Sequence, residues 1–443
     1  MDLISRLFGT KPTAVQPDIP FGRFSDAYKS EAQQQAFDLS LEAFEQKEYL
    51  RAYQHLLSYL RDEGASEPNL VWQETEGQII FELWQGSQRV TGTASAEKVR
   101  AESRIAKVGD LNVGFMRRLM ESNFTLKFSR FALDPDNNLC IVFNSSASDG
   151  SPLKVMHALR ELAIHADKQD DLLLGEFASV LSPSESRDFG EAPLAEKEAK
   201  YAYVRQSIEA AFAELDKDKP DPNTHPGAYA YLLLALAFRL DYLVRPEGFM
   251  MDRLEKVYST YFSQSNLTPQ VKLQQMRREL QGLLERPKEA FFQEIYRTRS
   301  TFGTNPAVPH GTVANLIEGE LPSMDWSLQH NYEALALAVP QYIVGFTLFH
   351  QAPPKPDREY LHLFYQVSER AYFRSLGFDN HFADDAGRLQ KQEILKEIKK
   401  IAERNRAEYP RLRPNTEKLD FASLPLFSKS YLLMIKDLDL SKE

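Results

Sequence analysis

Apolar positions along this chain change their period near residue 180. Between residues 78 and 177 they fall into short extended runs broken by turn residues, and beyond 195 they recur every three or four residues. Residues 78–84 and 89–93 flank Gly86 and Ser87, the pattern of a hairpin. A charged extended run, 99–108, gives a third strand, and 112–122 a short helix. Phe124, Leu126 and Phe128 alternate, which puts them on one sheet face and starts a fourth strand over 124–133. Asp134, Pro135 and Asn138 supply the turn into a fifth, 139–144. Its apolar run from Leu139 to Phe143 predicts a central strand covered on both sides. Val155, Met156, Leu159, Leu162, Ala163 and Ala166 form one stripe of a long closing helix, 151–177, with Pro152 in its first turn. Upstream, Phe37, Leu41 and Phe44, then Tyr49, Tyr53, Leu56, Leu57 and Leu60, predict a helical hairpin packed on the sheet.

The expected architecture is α+β. Residues 1–30 form an extended lead-in, and 31–181 an α-β-β-β-α-β-β-α module. Residues 182–196, polar with Pro183 and Pro193, read as a linker. Residues 197–443 read as an irregular all-helical domain, with helices near 201–215, 229–244, 268–285, 326–350, 358–376 and 387–406. Residues 46–53 resemble the turn and second helix of a tetratricopeptide unit, but no second copy follows at the ~34-residue period such arrays need.

Composition narrows the class. A length of 443 residues with 43% hydrophobic and 26% charged residues is that of a soluble globular protein with room for two or three cores. The net charge of −10 argues against a protein built mainly to hold nucleic acid. Cys140 is the single cysteine, so no internal disulfide forms and the cytoplasm is the expected compartment. Residues 1–9 lack the apolar core and cleavage site of a signal peptide. The longest apolar stretch, 334–349, contains Pro340 and Gln341 and is shorter than the ~20 residues of a span. No membrane association is expected.

One family resemblance emerges. Arg130-Phe131-Ala132-Leu133-Asp134-Pro135-Asp136 leads into a strand, and Leu159-Arg160-Glu161-Leu162-Ala163, with Ala166 and Asp167, lies in the closing helix. With the order helix, three strands, helix, two strands, helix, residues 32–179 resemble the bacterial YbjN-like family, whose fold is that of the type III secretion effector (Tir) chaperones. The resemblance implies a compact module, often dimeric, that binds protein segments without chemistry. The long helical half departs from the short chaperones.

Motifs for chemistry are sparse. Phosphate-binding glycine loops, H-E-x-x-H and the G-x-S-x-G elbow do not occur. Cys140 lies in an apolar strand and reads as a structural thiol. His157 and His165 are eight apart, ~80° around a helix, a poor metal spacing, and read with Asp167 and Asp170 as solvated polar-face residues. Residues 216–227 look superficially like a calcium loop, but Asp221 stands where glycine is needed and Gly227 where a bidentate glutamate is needed. His381, Asp384 and Asp385 are the types for hard-metal or acid–base work, against a plain alternative in which an aspartate caps the next helix. Lys396, Lys399, Lys400 and Arg404 head the one local basic excess, a surface for an acidic partner, though Ile394, Ile398 and Ile401 make it first the solvent side of a packed helix. The aromatic residues of the second half fall at helical spacings and read as core.

The expectation is a non-enzymatic, protein-binding, chaperone-like or adaptor protein with no cofactor, possible as a homodimer. The rival is an enzyme or metal-dependent protein with its site in the helical half, and a third reading has the basic helix, residues 388–413, bind nucleic acid or an acidic partner.

Overall fold

The computed structural model describes residues 16–23, 28–62, 67–109, 113–177, 181–184, 190–384 and 386–442. The fold is α+β, with an antiparallel sheet in the N-terminal part and helices thereafter.

Helix α1 (Glu31–Glu45) starts on a capping box in which Ser30 accepts from the Gln33 backbone and the Gln33 side chain accepts from Ser30. Helix α2 (Tyr49–Leu60) completes the hairpin and buries Tyr53, Leu56, Leu57 and Leu60. Four strands follow, β1 (Leu70–Thr75), β2 (Gln78–Gly86), β3 (Gln88–Ser95) and β4 (Lys98–Val108). Helix α3 (Val113–Thr125), β5 (Arg130–Leu133), β6 (Asn138–Ser146) and α4 (Pro152–Glu176) complete the module. The main path of the sheet is β1-β2-β3-β4-β6-β5. Helices α2 and α4 cover one face with Leu56, Val155, Leu159 and Leu162 against Ile79, Phe81, Val90 and Ile141.

Three sequence expectations are corrected by the structure. The module has four strands before α3, not three. Strand β1 escapes notice because its second half, Gln73 to Thr75, is polar and exposed, and it is fixed by a turn at Glu76 and Gly77, both left-handed. The fourth expected strand begins at Arg130, because α3 runs through Thr125. Phe124 therefore lies on a helix and points to solvent. Strand β6 is interior to the sheet, but Val142 is only half-buried, so one of its faces is open.

The residues that carry the family resemblance are structural clamps. Asp134 accepts from the backbones of Asp136 and Asn138 and so closes the β5–β6 turn. Glu161 accepts from the backbone N–H groups of Lys127, Phe128 and Ser129 and from the Ser129 hydroxyl, at 2.7–2.9 Å. Asp167 accepts from the Ser87 N–H, and the fully buried Asp170 from Ser87 Oγ and Gln88 Nε2. These two aspartates grip the β2–β3 turn rather than face water, a correction of the solvated reading.

The Glu161 clamp carries a pH prediction. Burial opposes its charge, yet the donations from residues 127–129 outweigh burial and hold its carboxyl below the usual glutamate range. A depressed folded pKa contributes stability that is present above the unfolded value, ~4.3, and is lost as pH falls through the folded value. Glu161→Ala should cost about 2 kcal/mol at neutral pH, and the gap to wild type should close in acid. A pH-independent gap in urea melts would refute the clamp.

The remaining elements are β7 (Leu181–Pro183), β8 (Gly190–Glu191), α5 (Leu194–Leu215), α6 (Pro226–Val244), α7 (Gly248–Phe262), α8 (Pro269–Leu284), α9 (Lys288–Gln293), β9 (Tyr296–Arg297) and β10 (Arg299–Ser300), then α10 (His310–Glu320), α11 (Ser323–Gln329), α12 (Glu333–His350), α13 (Lys355–Ser368), α14 (Arg370–Ser375), α15 (Lys391–Asn405) and α16 (Leu424–Lys436). Helices α6 and α12 form the centre of this half, apolar nearly all round and largely buried. Among the described residues α6 alone is long and apolar enough to cross a membrane, and 72% of its apolar window is buried in the fold, as a core helix should be.

The second half is not purely helical, and the proposed linker is stitched at both ends. Strand β7 pairs with β4 and β8 with β9, while β10 adds to β2. Beyond β10, Phe302 enters the core of the sheet module. The lead-in is extended as expected where described, but docked. The Gly22 N–H donates to the Tyr242 carbonyl, and Arg23 pairs with Asp241 at 2.6 Å and Glu255 at 3.2 Å.

Candidate protein-docking face

Helix α3 has two apolar sides. Phe115 and Leu119 are buried, with Phe115 edge-on to Phe177 at 5.2 Å. Val113, Met116, Met120 and Phe124 are 86, 39, 70 and 93% exposed. At ~100° per residue these four fall within ~80° of one another, centred ~120° round the helix from the buried pair. Such a stripe is unusual on a helix whose other side already serves the core. It is bordered by Arg117 and Glu121, which pair at 2.9 Å.

The helix is held in this pose by its neighbours. Asn123 Oδ1 accepts from the Phe131 N–H at 2.7 Å, fastening the end of α3 to β5, and Glu161 fixes the loop between them. The same Asn123 contact occupies the outer edge of β5, where a partner strand would need free backbone groups. At the opposite edge of the sheet β1 presents Gln73, Glu74 and Thr75, a polar rim. The uncovered sheet face is polar as well. Arg100 meets Glu102 at 2.7 Å, Arg130 meets Asn144 at 2.8 Å, and Thr91 and Thr93 line a shallow cavity of about 300 Å³ beside Ile80. Of these surfaces, the α3 stripe loses most by staying in water.

The residues singled out in the sequence fall elsewhere. His381 Nε2 meets Asp379 at 2.5 Å on an exposed loop. Asp384 is bound to Arg388, accepting its N–H at 2.9 Å and its Nε at 2.8 Å. It closes that turn and caps no helix, since α15 begins at Lys391 behind Gln390. Asp385 lies outside the described residues. Among the described residues, no group of three His, Cys, Asp or Glu is placed to hold a metal. In the calcium-like loop Asp216 pairs with Arg277 and Asp221 accepts from the Asn223 N–H, which leaves an interhelix turn.

On α15 each candidate cation has a carboxylate beside it. Lys396 lies 3.7 Å from Glu393, Lys399 3.7 Å from Glu403, Lys400 2.8 Å from Glu397, and Arg404 3.6 Å from Glu359 and Glu397. The apolar stripe of that helix is buried through Ile394, Ile398 and Ile401. Cys140 is buried, and burial pushes its thiol up to about 11, the condition of an unreactive cysteine.

Sequence reasoning missed the α3 stripe by ending the helix at Ser122 and reading Phe124 into a strand. Its signal was the 3-4-4 spacing of Val113, Met116, Met120 and Phe124, which fits a helix and no strand. Comparison with known proteins returns no matching family model and no similar curated protein.

Proposed function

We propose that this chain is a non-enzymatic, cytoplasmic protein-binding protein, YbjN-like and secretion-chaperone-like in its N-terminal third, which docks a protein through the exposed face of α3. The observation that carries this reading is the stripe Val113, Met116, Met120 and Phe124 on a clamped helix, beside sheet edges that are short, polar or capped. Methionine suits such a face because its unbranched, polarizable side chain repacks against different partners.

The first occupant is a second copy of this chain. When two such helices cross antiparallel about a two-fold axis, the stripes meet, and Arg117 of each copy comes opposite Glu121 of the other. Light scattering during size-exclusion chromatography at micromolar concentration should return twice the chain mass. Met120→Glu with Phe124→Glu should give a monomer with unchanged circular dichroism and thermal midpoint, because neither side chain serves the core. A wild-type monomer, or a double variant that still dimerises, removes the α3 face from the account. The paired charges of α15 support no second reading.

A further inference from the structure

A cleft of about 670 Å³ lies in the helical half, between α5 and the corner where α13 turns into α14. That volume is in the range of small-molecule sites. The α5 wall is recessed because its facing side chains are small, with Ala199, Ala202, Ser207 and Ala210 at helical spacing. Tyr203 stacks on Tyr372 with ring centroids 3.9 Å apart and planes 20° apart, which gives the cleft a flat aromatic side. Leu389 and Leu424 add apolar surface to its lining.

The charges within the cleft do not balance. Glu369 is fully engaged. It accepts from Arg239 Nη1 at 2.7 Å, from the Tyr203 hydroxyl at 3.1 Å and from Gln341 Nε2 at 3.4 Å. Arg370 also lines the cleft, and no carboxylate among the described residues lies within ion-pair distance of it. Among the described lining residues, two guanidinium groups stand against one carboxylate. Burial raises the phenols of Tyr203 and Tyr372 well above their ordinary value, so both rings are neutral and add no negative charge. Arg239 Nε and Ser368 Oγ are buried with no hydrogen-bond partner, in a wall of the same cleft. Leaving such groups unsatisfied costs about 1–3 kcal/mol each, an expense native folds seldom keep without use.

We propose that this cleft binds a small organic monoanion, a carboxylate on an aromatic or branched apolar body. The anionic end meets Arg370, with the positive field of the Arg239 guanidinium behind it, and the apolar body lies along the stacked tyrosines and the alanine face of α5. A cation is repelled by the excess guanidinium, and a wholly polar ion gains nothing from the apolar walls. Recognition of a planar carboxylate by guanidinium is the geometry arginine serves best. This site is independent of the α3 face and survives if that reading fails.

The test is calorimetric titration of the full chain with 1-naphthoate, 1-naphthalenemethanol and 1-naphthylmethylammonium. Naphthoate should bind, the neutral alcohol at least about tenfold more weakly, and the ammonium ion not at all. Arg370→Gln should weaken naphthoate about tenfold, and Ala202→Trp, which fills the cleft from an exposed position, should abolish binding. Thermal unfolding of both variants checks that they fold, and Ser207→Phe serves as a second filling variant if Ala202→Trp does not. Equal affinity for naphthoate and the alcohol, binding that survives the filling variant, or no naphthoate binding at millimolar concentration overturns the proposal.

Discussion

Phe302→Ala should cost about 3–5 kcal/mol and uncouple the sheet from the helical half. Phe302 is contributed by the segment after β10, yet its ring is fully buried among the apolar residues of the sheet module. Its backbone is held there as well. Gln85 Oε1 accepts from the N–H groups of Thr301 and Phe302, and Gln85 Nε2 donates to the Phe302 carbonyl. The Thr301 hydroxyl bonds to the carbonyls of Asn69 and Trp84, and Arg160 Nη2 donates to the Gly303 carbonyl at 2.6 Å. Arg299 stacks on Trp84 at 4.0 Å. Removing the ring leaves a cavity that this hydrogen-bonded frame keeps from collapsing, which puts the cost at the high end. Two of the three tryptophans, Trp72 and Trp84, sit in the sheet, so their fluorescence reports that half. In urea, wild type should lose fluorescence and helical dichroism together, and the variant should lose fluorescence first. A loss below about 1 kcal/mol, or coincident transitions in the variant, would falsify the keyed junction. Phe302→Leu, which keeps most of the volume, should cost about 1 kcal/mol.

That junction also marks how far the sequence could be read. Elements built from near neighbours were legible. The Gly86–Ser87 hairpin, the Asp134 turn, the α4 stripe and the helices α5, α6, α8 and α15 follow from local periodicity and turn chemistry, whereas α7, α10 and α16 are not among the expected helices. What failed were contacts between residues far apart in sequence. Arg299 and Ser300 are two residues long as a strand, with no alternation to notice, and become a strand only because β2 leaves an edge for them. Residues 182–196 are polar, but polarity does not reveal that residues 182 and 183 pair with β4, that 190 and 191 pair with β9, or that α5 already begins at Leu194. The candidate surfaces show the same limit. The basic excess on α15 and the glutamates of the same helix that offset it were visible, whereas the reach of Glu359 of α13 to Arg404 was not. Arg239, Glu369 and Arg370 drew no notice because they meet only when α6 packs beside the α13–α14 corner.

Glu196→Ala should be the most damaging single change outside the apolar core, costing about 3–5 kcal/mol, because it strands a buried charge. Glu196 and Lys200 lie one turn apart on α5, 2.8 Å between charged atoms, with side chains only 4 and 3% exposed. Arg297 of β9 reaches the same carboxylate at 2.5 Å. The triad thus fastens α5, one wall of the proposed anion cleft, to the segment that runs from β9 into β10, the strand that joins the sheet. Burial pushes the Lys200 ammonium down, and Glu196 pulls it partly back. Without Glu196 the folded protein favours neutral Lys200, while the unfolded chain holds its proton up to about pH 10.4. The unfolded state then binds more protons, so the variant's stability should rise with pH and its deficit should shrink as pH climbs toward that value. Replacing both partners, Glu196→Leu with Lys200→Met, removes the stranded charge and should recover most of the loss, leaving Arg297, which is partly exposed, to water and the Asp18 carbonyl. Urea unfolding of the two singles and the double at two pH values measures the coupling. A double variant no more stable than Glu196→Ala, or a deficit unchanged by pH, would mean that packing around α5 and not the buried ion pair holds this joint.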